Sequence, residues 1–186
     1  LGDHSGEILP DDDDLEGWLR VLQQEPSRTD AIDKLAALEE RLEEAGDADR
    51  LVELWLGRTE VETSGAGRAH CLRQVAAIFE RKKGQMGEAF AALLAAFKEA
   101  PELQHLDELE RLAGTSGLWS DLLSALRELM PSFPAAARPE LWLRIARLYG
   151  DKLNHVDYAL ASLAEAQKLD ISDASLRRRL LDLRVE

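Results

Sequence analysis

The residues of this chain with chemistry to offer are four histidines (His4, His70, His105 and His155), one cysteine (Cys71), a run of four aspartates from Asp11 to Asp14, and 17 arginines. Catalysis would need a nucleophile beside a base, a cluster of metal ligands or a phosphate-cradling loop. The sequence holds no Gly-rich phosphate loop, no His-Glu-x-x-His and no Gly-x-Ser-x-Gly. The histidines lie in different stretches without ligand spacing and read as surface or turn residues. An EF-hand loop opening at Asp11 would need glycine where Glu16 stands and glutamate where Leu22 stands, so the aspartate run reads as solvated acid. One cysteine excludes an intramolecular disulfide and the Cys-rich zinc motifs. Next to Leu72 on an apolar helix face, Cys71 reads as an inert, partly buried thiol. These residues imply no cofactor, no metal and no reaction.

Composition narrows the setting. Of 186 residues, 45% are hydrophobic and 32% charged, a globular balance too apolar for a wholly disordered chain. Aromatic residues make up 5%, and Gly and Pro together number 18. An all-β fold would be short of strand formers and turn residues, so helix is expected. Residues 1–66 carry 19 Asp and Glu against 6 Lys and Arg, whereas residues 67–186 carry 17 of each, so the net charge of −13 sits in the first third. A chain with pI ≈ 4.8 repels phosphate backbones and anionic headgroups, so nucleic acid is not an expected partner. The longest wholly apolar run, Ala89 to Phe97, falls far below the ~20 residues of a spanning helix, and no membrane insertion is expected. The chain opens at Leu1 without a basic-then-apolar leader, which is expected of a piece of a longer protein and leaves localisation open. The excess of Arg (17) over Lys (6) points to a GC-rich bacterial source.

The elements that must position any site follow from hydrophobic spacing. Residues 1–14 lack apolar periodicity and are expected to form a mobile acidic tail or linker. From Leu15 onward apolar residues recur every three or four positions, which predicts about ten amphipathic helices. Their expected spans are 13–25, 29–45, 48–62, 67–83, 86–100, 103–115, 119–130, 137–151, 155–169 and 173–185. Gly46-Asp47, Gly84 and Gly117 mark helix stops, and Pro26, Pro101, Pro131 and Pro134 fall between helices. The short links make successive helices antiparallel neighbours.

The helices repeat. A shift of 70 residues lays Leu72 on Trp142, Val75 on Ile145, Ala76 on Ala146, Phe79 on Tyr149, Ala89 on Ala159, Leu93 on Leu163 and Ala96 on Ala166. A shift of 71 lays Leu35 on Leu106, Leu38 on Leu109, Gly46 on Gly117 and Leu51 on Leu122, so two unit types of about 35 residues alternate. This pattern resembles the tetratricopeptide repeat. The units are 32–63, 69–101, 103–134 and 139–171, flanked by half-units 15–26 and 174–186; the second and fourth fit closely. The first and third carry Leu51 and Leu122 where the family has a small residue. The resemblance implies an all-α, right-handed superhelical solenoid of antiparallel helix pairs, residues 15–186 forming one repeat domain whose concave face is lined by the first helix of each pair.

In that register the concave face offers Asp33, Ala36, Ala37, Glu40 and Glu44, then His70, Arg73, Gln74, Ala77 and Arg81, then Gln104, Asp107, Glu108 and Arg111, then Leu143, Arg144 and Arg147, then Arg178 and Arg179. It runs from acidic to basic. Arg73, Gln74, Arg81, Arg111, Arg144, Arg147, Arg178 and Arg179 are therefore the candidate partner-binding residues. The family's chaperone-peptide clamp uses Lys and Asn on three successive first helices; Arg73, Ala77 and Glu108 do not supply that set, so this use is excluded. The resemblance implies a non-catalytic scaffold for an extended peptide or partner protein. Paired guanidinium hydrogen bonds at the basic end favour an acidic segment. The run Asp11 to Asp14 of a second molecule would fit there and give weak self-association. The alternative, an RNA-binding helical repeat, needs a basic or aromatic inner face that this acidic chain lacks.

Overall fold

A computed structural model describes residues 9–169. Among them there are nine α-helices and no strand. The helix expected at 173–185, with Arg178 and Arg179, lies outside the described residues. The chain divides into two compact units at Ala100 and Pro101.

The first unit holds α1 (Leu15–Gln24), α2 (Thr29–Ala45), α3 (Ala48–Val61), α4 (Gly65–Ile78) and α5 (Met86–Glu99), with a π turn over Phe79–Lys83 after α4. The starts are set by side-chain caps: Asp14 accepts from Gly17 N, Asp47 from Arg50 N and Ser64 from Gly67 N, each satisfying a backbone donor that the first turn leaves without a partner. Gly46 and Gly84 close α2 and the π turn in the left-handed conformation, at φ 68 and 65. Leu38, Leu42, Leu51, Leu54, Trp55, Val75 and Ile78 belong to one core cluster, drawn from α2, α3 and α4. A second cluster joins Trp18 and Leu22 of α1 to Ala31 and Leu35 of α2. α1, expected as an unmated half-unit, in fact lies against both α2 and α3. The α3 contact is close at Gly57, where a Cβ would stand 2.3 Å from Leu19 Cδ1.

The second unit holds α6 (Leu106–Ser116), α7 (Trp119–Leu129), α8 (Arg138–Leu153) and α9 (Val156–Lys168), with short 3-10 turns at Leu103–His105 and Met130–Ser132. Gly117 closes α6 at φ 75, and Asn154 closes α8 at φ 54. Leu143, Ala146, Leu163 and Ala166 form one cluster between α8 and α9, with Trp142 against it. Leu106, Leu109, Leu122 and Leu126 are fully buried on α6 and α7.

The two closest pairs carry small residues at their contacts. α4 with α5 and α8 with α9 are the most closely packed pairs, and their buried small residues are Ala76, Ala89 and Ala96 in the first pair and Ala146 and Ala166 in the second. In α8 and α9, Gly150 also faces Ala159. α2 with α3 and α6 with α7, where Leu51 and Leu122 replace the small residue, make far less contact. A leucine holds two helix axes apart where an alanine lets them close. Ala76→Leu or Ala146→Leu is therefore expected to overpack its pair and cost roughly 1–3 kcal/mol, read as a lowered denaturant midpoint; an unchanged midpoint contradicts the packing assignment.

Candidate functional site

Ion pairs and cavities reveal which candidate residues meet. In the second unit Arg144 of α8 reaches across to α6, where its Nη2 donates to Asp107 Oδ1 and its Nε lies 2.5 Å from Glu110 Oε1. The second contact is close but poorly directed, so the buried Glu110 Oε1 has a cation beside it and no aligned donor. Burial pushes the Glu110 carboxyl above its ordinary value and the charge of Asp107 adds to this, while Arg144 and Arg147 oppose it. Asp107, Glu140, Leu143, Arg144 and Arg147 line a cavity of about 370 Å³. Arg147 is exposed there. Arg111 is exposed as well and lies 3.8 Å from Glu108 on its own helix.

Arg144 was expected to offer its guanidinium to an incoming acidic segment. It is already committed to two carboxylates of its own chain, which leaves Arg147 as the exposed cation on this wall. Asp107 stood on the same predicted face, and the alignment of alternate helices was the signal that could have paired it with Arg144. Arg73 and Gln74 are half-buried on α4, and Arg81 is exposed in the π turn.

Residues 11–14 make specific contacts with the first unit. The indole N–H of Trp18 donates to the Asp11 carbonyl at 2.9 Å, and Asp14 caps α1. Lys34 Nζ lies 2.5 Å from Asp12 Oδ1, and Arg41 Nη1 lies 2.7 Å from Asp13 Oδ1. Arg50 adds a hydrogen bond to the Asp13 carbonyl. The hydrogen bond and charge of Lys34 hold the Asp12 carboxyl below its ordinary value. Cations of α2 and α3 thus fasten residues 11–14 in cis, and a trans contact with a second molecule would have to break these pairs.

A second cavity, of about 380 Å³, opens among α1, α2, α3 and α4. Trp55 forms one wall, with His70 edge-on to it at 5.7 Å and the Arg58 guanidinium 4.5 Å over its ring. Arg58 also pairs with Glu39 at 3.4 Å, and burial keeps the Glu39 carboxyl above its ordinary value despite that cation. Cys71 lines this cavity as a buried thiol whose pKa burial raises, the inert form expected of it. Trp18 and Trp55 are buried, while Trp119 and Trp142 are half-buried.

Among the described residues no cluster of His, Cys, Asp and Glu could hold a metal ion, and no helix is long and apolar enough to cross a membrane. No family model, curated protein or solved structure matches the chain.

The charge of Glu110 has a checkable consequence. Its folded pKa lies above the unfolded value of about 4.3, so the folded state holds the proton more tightly and the ionised form costs stability at neutral pH. Glu110→Gln is expected to match or exceed the parent at neutral pH, and its advantage should shrink as pH falls to about 4, where the parent's carboxyl takes up its proton. Urea midpoints at the two pH values measure this; a variant equally destabilised at both contradicts it.

Proposed function

We propose that the chain is a non-catalytic protein-interaction scaffold of the helical-repeat kind, its helix pairs resembling tetratricopeptide units and its partner an extended peptide or a partner protein. The observation that supports this reading is the bridge from Arg144 on α8 to Asp107 and Glu110 on α6, which links side chains of alternate helices within the second unit. Lys82, just after α4, does the same with Glu43 of α2 in the first unit, and Leu19 of α1 meets Gly57 of α3. Stacked pairs of this kind put polar residues that the core does not use on one continuous strip of neighbouring first helices. A binding module needs such a strip, while an enzyme needs convergent reactive groups.

The partner's charge is open on both sides of the chain's own pairing. At the α6 and α8 strip the carboxylates Asp107 and Glu110 offset Arg144, so an acidic partner there would rely on Arg147. A random peptide library displayed and panned on the full chain is expected to enrich specific binders of micromolar affinity. Hydrogen exchange should then show protection along α2 and α4 or along α6 and α8. A library that enriches nothing, or binders that protect only α3, α5, α7 or α9, contradicts the proposal.

A further inference from the structure

A cavity of about 300 Å³ opens where α7, α8 and α9 meet. From α7 it receives Ser120, Ser124 and Arg127, whose helical spacing sets them in one stripe along that helix. From the other side come three rings. Asn154 ends α8 at φ 54 and the His155 N–H donates to the Tyr149 carbonyl, a tight reversal that brings the first turn of α9 back onto α8. The Tyr149 and Tyr158 rings therefore stack, with centroids 5.3 Å apart and planes 24° from parallel. The His155 ring lies 5.8 Å from Tyr158 and 6.4 Å from Tyr149. Tyr149 is buried in this stack, while Tyr158 stays 56% exposed.

The polar groups of this cavity are not taken up by the fold. Elsewhere in the second unit the hydroxyls of Thr115, Ser116 and Ser162 bond back to carbonyls of their own helices. Ser120 and Ser124 are exposed, and their hydroxyls form no such bond among the described residues. Arg127 is exposed too and makes no ion pair among the described residues, unlike Arg58, Arg68 and Arg144, each of which meets a carboxylate. Its Nη1 donates to Tyr149 Oη at 3.5 Å, the long limit of a hydrogen bond. No Asp or Glu lines the cavity. Its one full charge is thus positive, its hydroxyls can all donate, and an entering anion meets no like charge on the walls.

Two limits define the occupant. One guanidinium beside neutral donors matches a single negative charge, and its planar fork fits a carboxylate. The volume is at the lower end of small-ligand sites, enough for a ring and its acid group. We propose that the second unit binds a small aromatic carboxylate, its acid group held by Arg127 with the Ser120 and Ser124 hydroxyls and its ring laid against Tyr158 and His155. Aromatic rings pair at centroid separations of about 4.5–7 Å, the range that these side chains already keep among themselves. Arg144 and Arg147 line a different cavity, so this site goes beyond the scaffold reading and does not rest on it.

The test titrates the isotope-labelled full chain with hydrocinnamate, a phenyl ring on a short chain ending in a carboxylate, and follows backbone amide chemical shifts. Hydrocinnamamide, which lacks the charge, and cyclohexanepropionate, which lacks the flat ring, are titrated beside it. Hydrocinnamate is expected to shift amides of α7 and of residues 154–158, with a Kd of about 1 mM or tighter for a ligand of this size. Both analogues should bind about fivefold or more weakly. Arg127→Gln is expected to weaken hydrocinnamate binding about tenfold or more and Tyr158→Ala about threefold or more, while Arg147→Gln leaves it unchanged. Arg127 and Tyr158 are exposed, so the variants are expected to keep the parent's helical circular dichroism, and the comparison of the three ligands on the parent needs no variant. An analogue that binds as tightly as hydrocinnamate, a folded Arg127→Gln chain that binds it undiminished, or no shift at about 10 mM ligand overturns this inference and leaves the scaffold reading as it stands.

Discussion

In each unit the closest helix contact is made across small side chains, between α4 and α5 in the first and between α8 and α9 in the second. A helix with one apolar stripe cannot bury that stripe alone, and how closely it meets its partner sets how much surface leaves water. Where the residues are Ala76, Ala89 and Ala96, or Ala146 and Ala166, the pair closes fully. Where Leu51 or Leu122 takes the small position, the pair is looser and more of the burial falls to other helices, as when Leu51, Leu54 and Trp55 join Val75 and Ile78 of α4 in one cluster.

Once the pairs are set, the polar edges of alternate helices have little choice of neighbour. Lys82 and Lys83, carried past the end of α4 by the π turn, meet Glu43 of α2 and Asp49 of α3; Arg144 of α8 meets Asp107 and Glu110 of α6. Ion pairs this exposed contribute little stability, about 0–1 kcal/mol each. Their larger effect is on what remains for a partner. They cancel charge on the inner edges of α2 and α8 and leave it uncancelled at Asp33, Glu40, Glu44 and Arg147, so the surface presented outward differs in sign pattern from a count of residues along each helix.

The helices were legible because their signals are local. Periodicity placed each described helix within a few residues, and Gly46, Gly84 and Gly117 stop their elements at positive φ as glycine readily does. Asn154 ends α8 in the same conformation and went unread, because asparagine adopts it less often and the expected end fell at 151. The sites were less legible because their partners are distant in the chain. The aspartate run looked like a free tail by composition, yet Lys34, Arg41 and Arg50 hold it from 22, 29 and 37 residues away. Arg144 looked like an open cation because a shared face does not say which of its residues pair, and its partner Asp107 is 37 residues distant. The cavity beside Trp55 left no mark in the sequence at all, since its walls come from four helices whose apolar residues each read as ordinary core.

The account turns on contacts that reach between alternate helices, which in the first unit means the π turn after α4 reaching α2 through Lys82 and Glu43. A zero-length carbodiimide joins a lysine amine to a carboxylate only where the two are already in contact, and mass spectrometry of the digested protein identifies the joined peptides. The account predicts links from Lys82 to Glu43 and from Lys83 to Asp49, across 39 and 34 residues of chain. Links from Lys82 and Lys83 confined to carboxylates near them in sequence, such as Glu80 and Glu88, would contradict it.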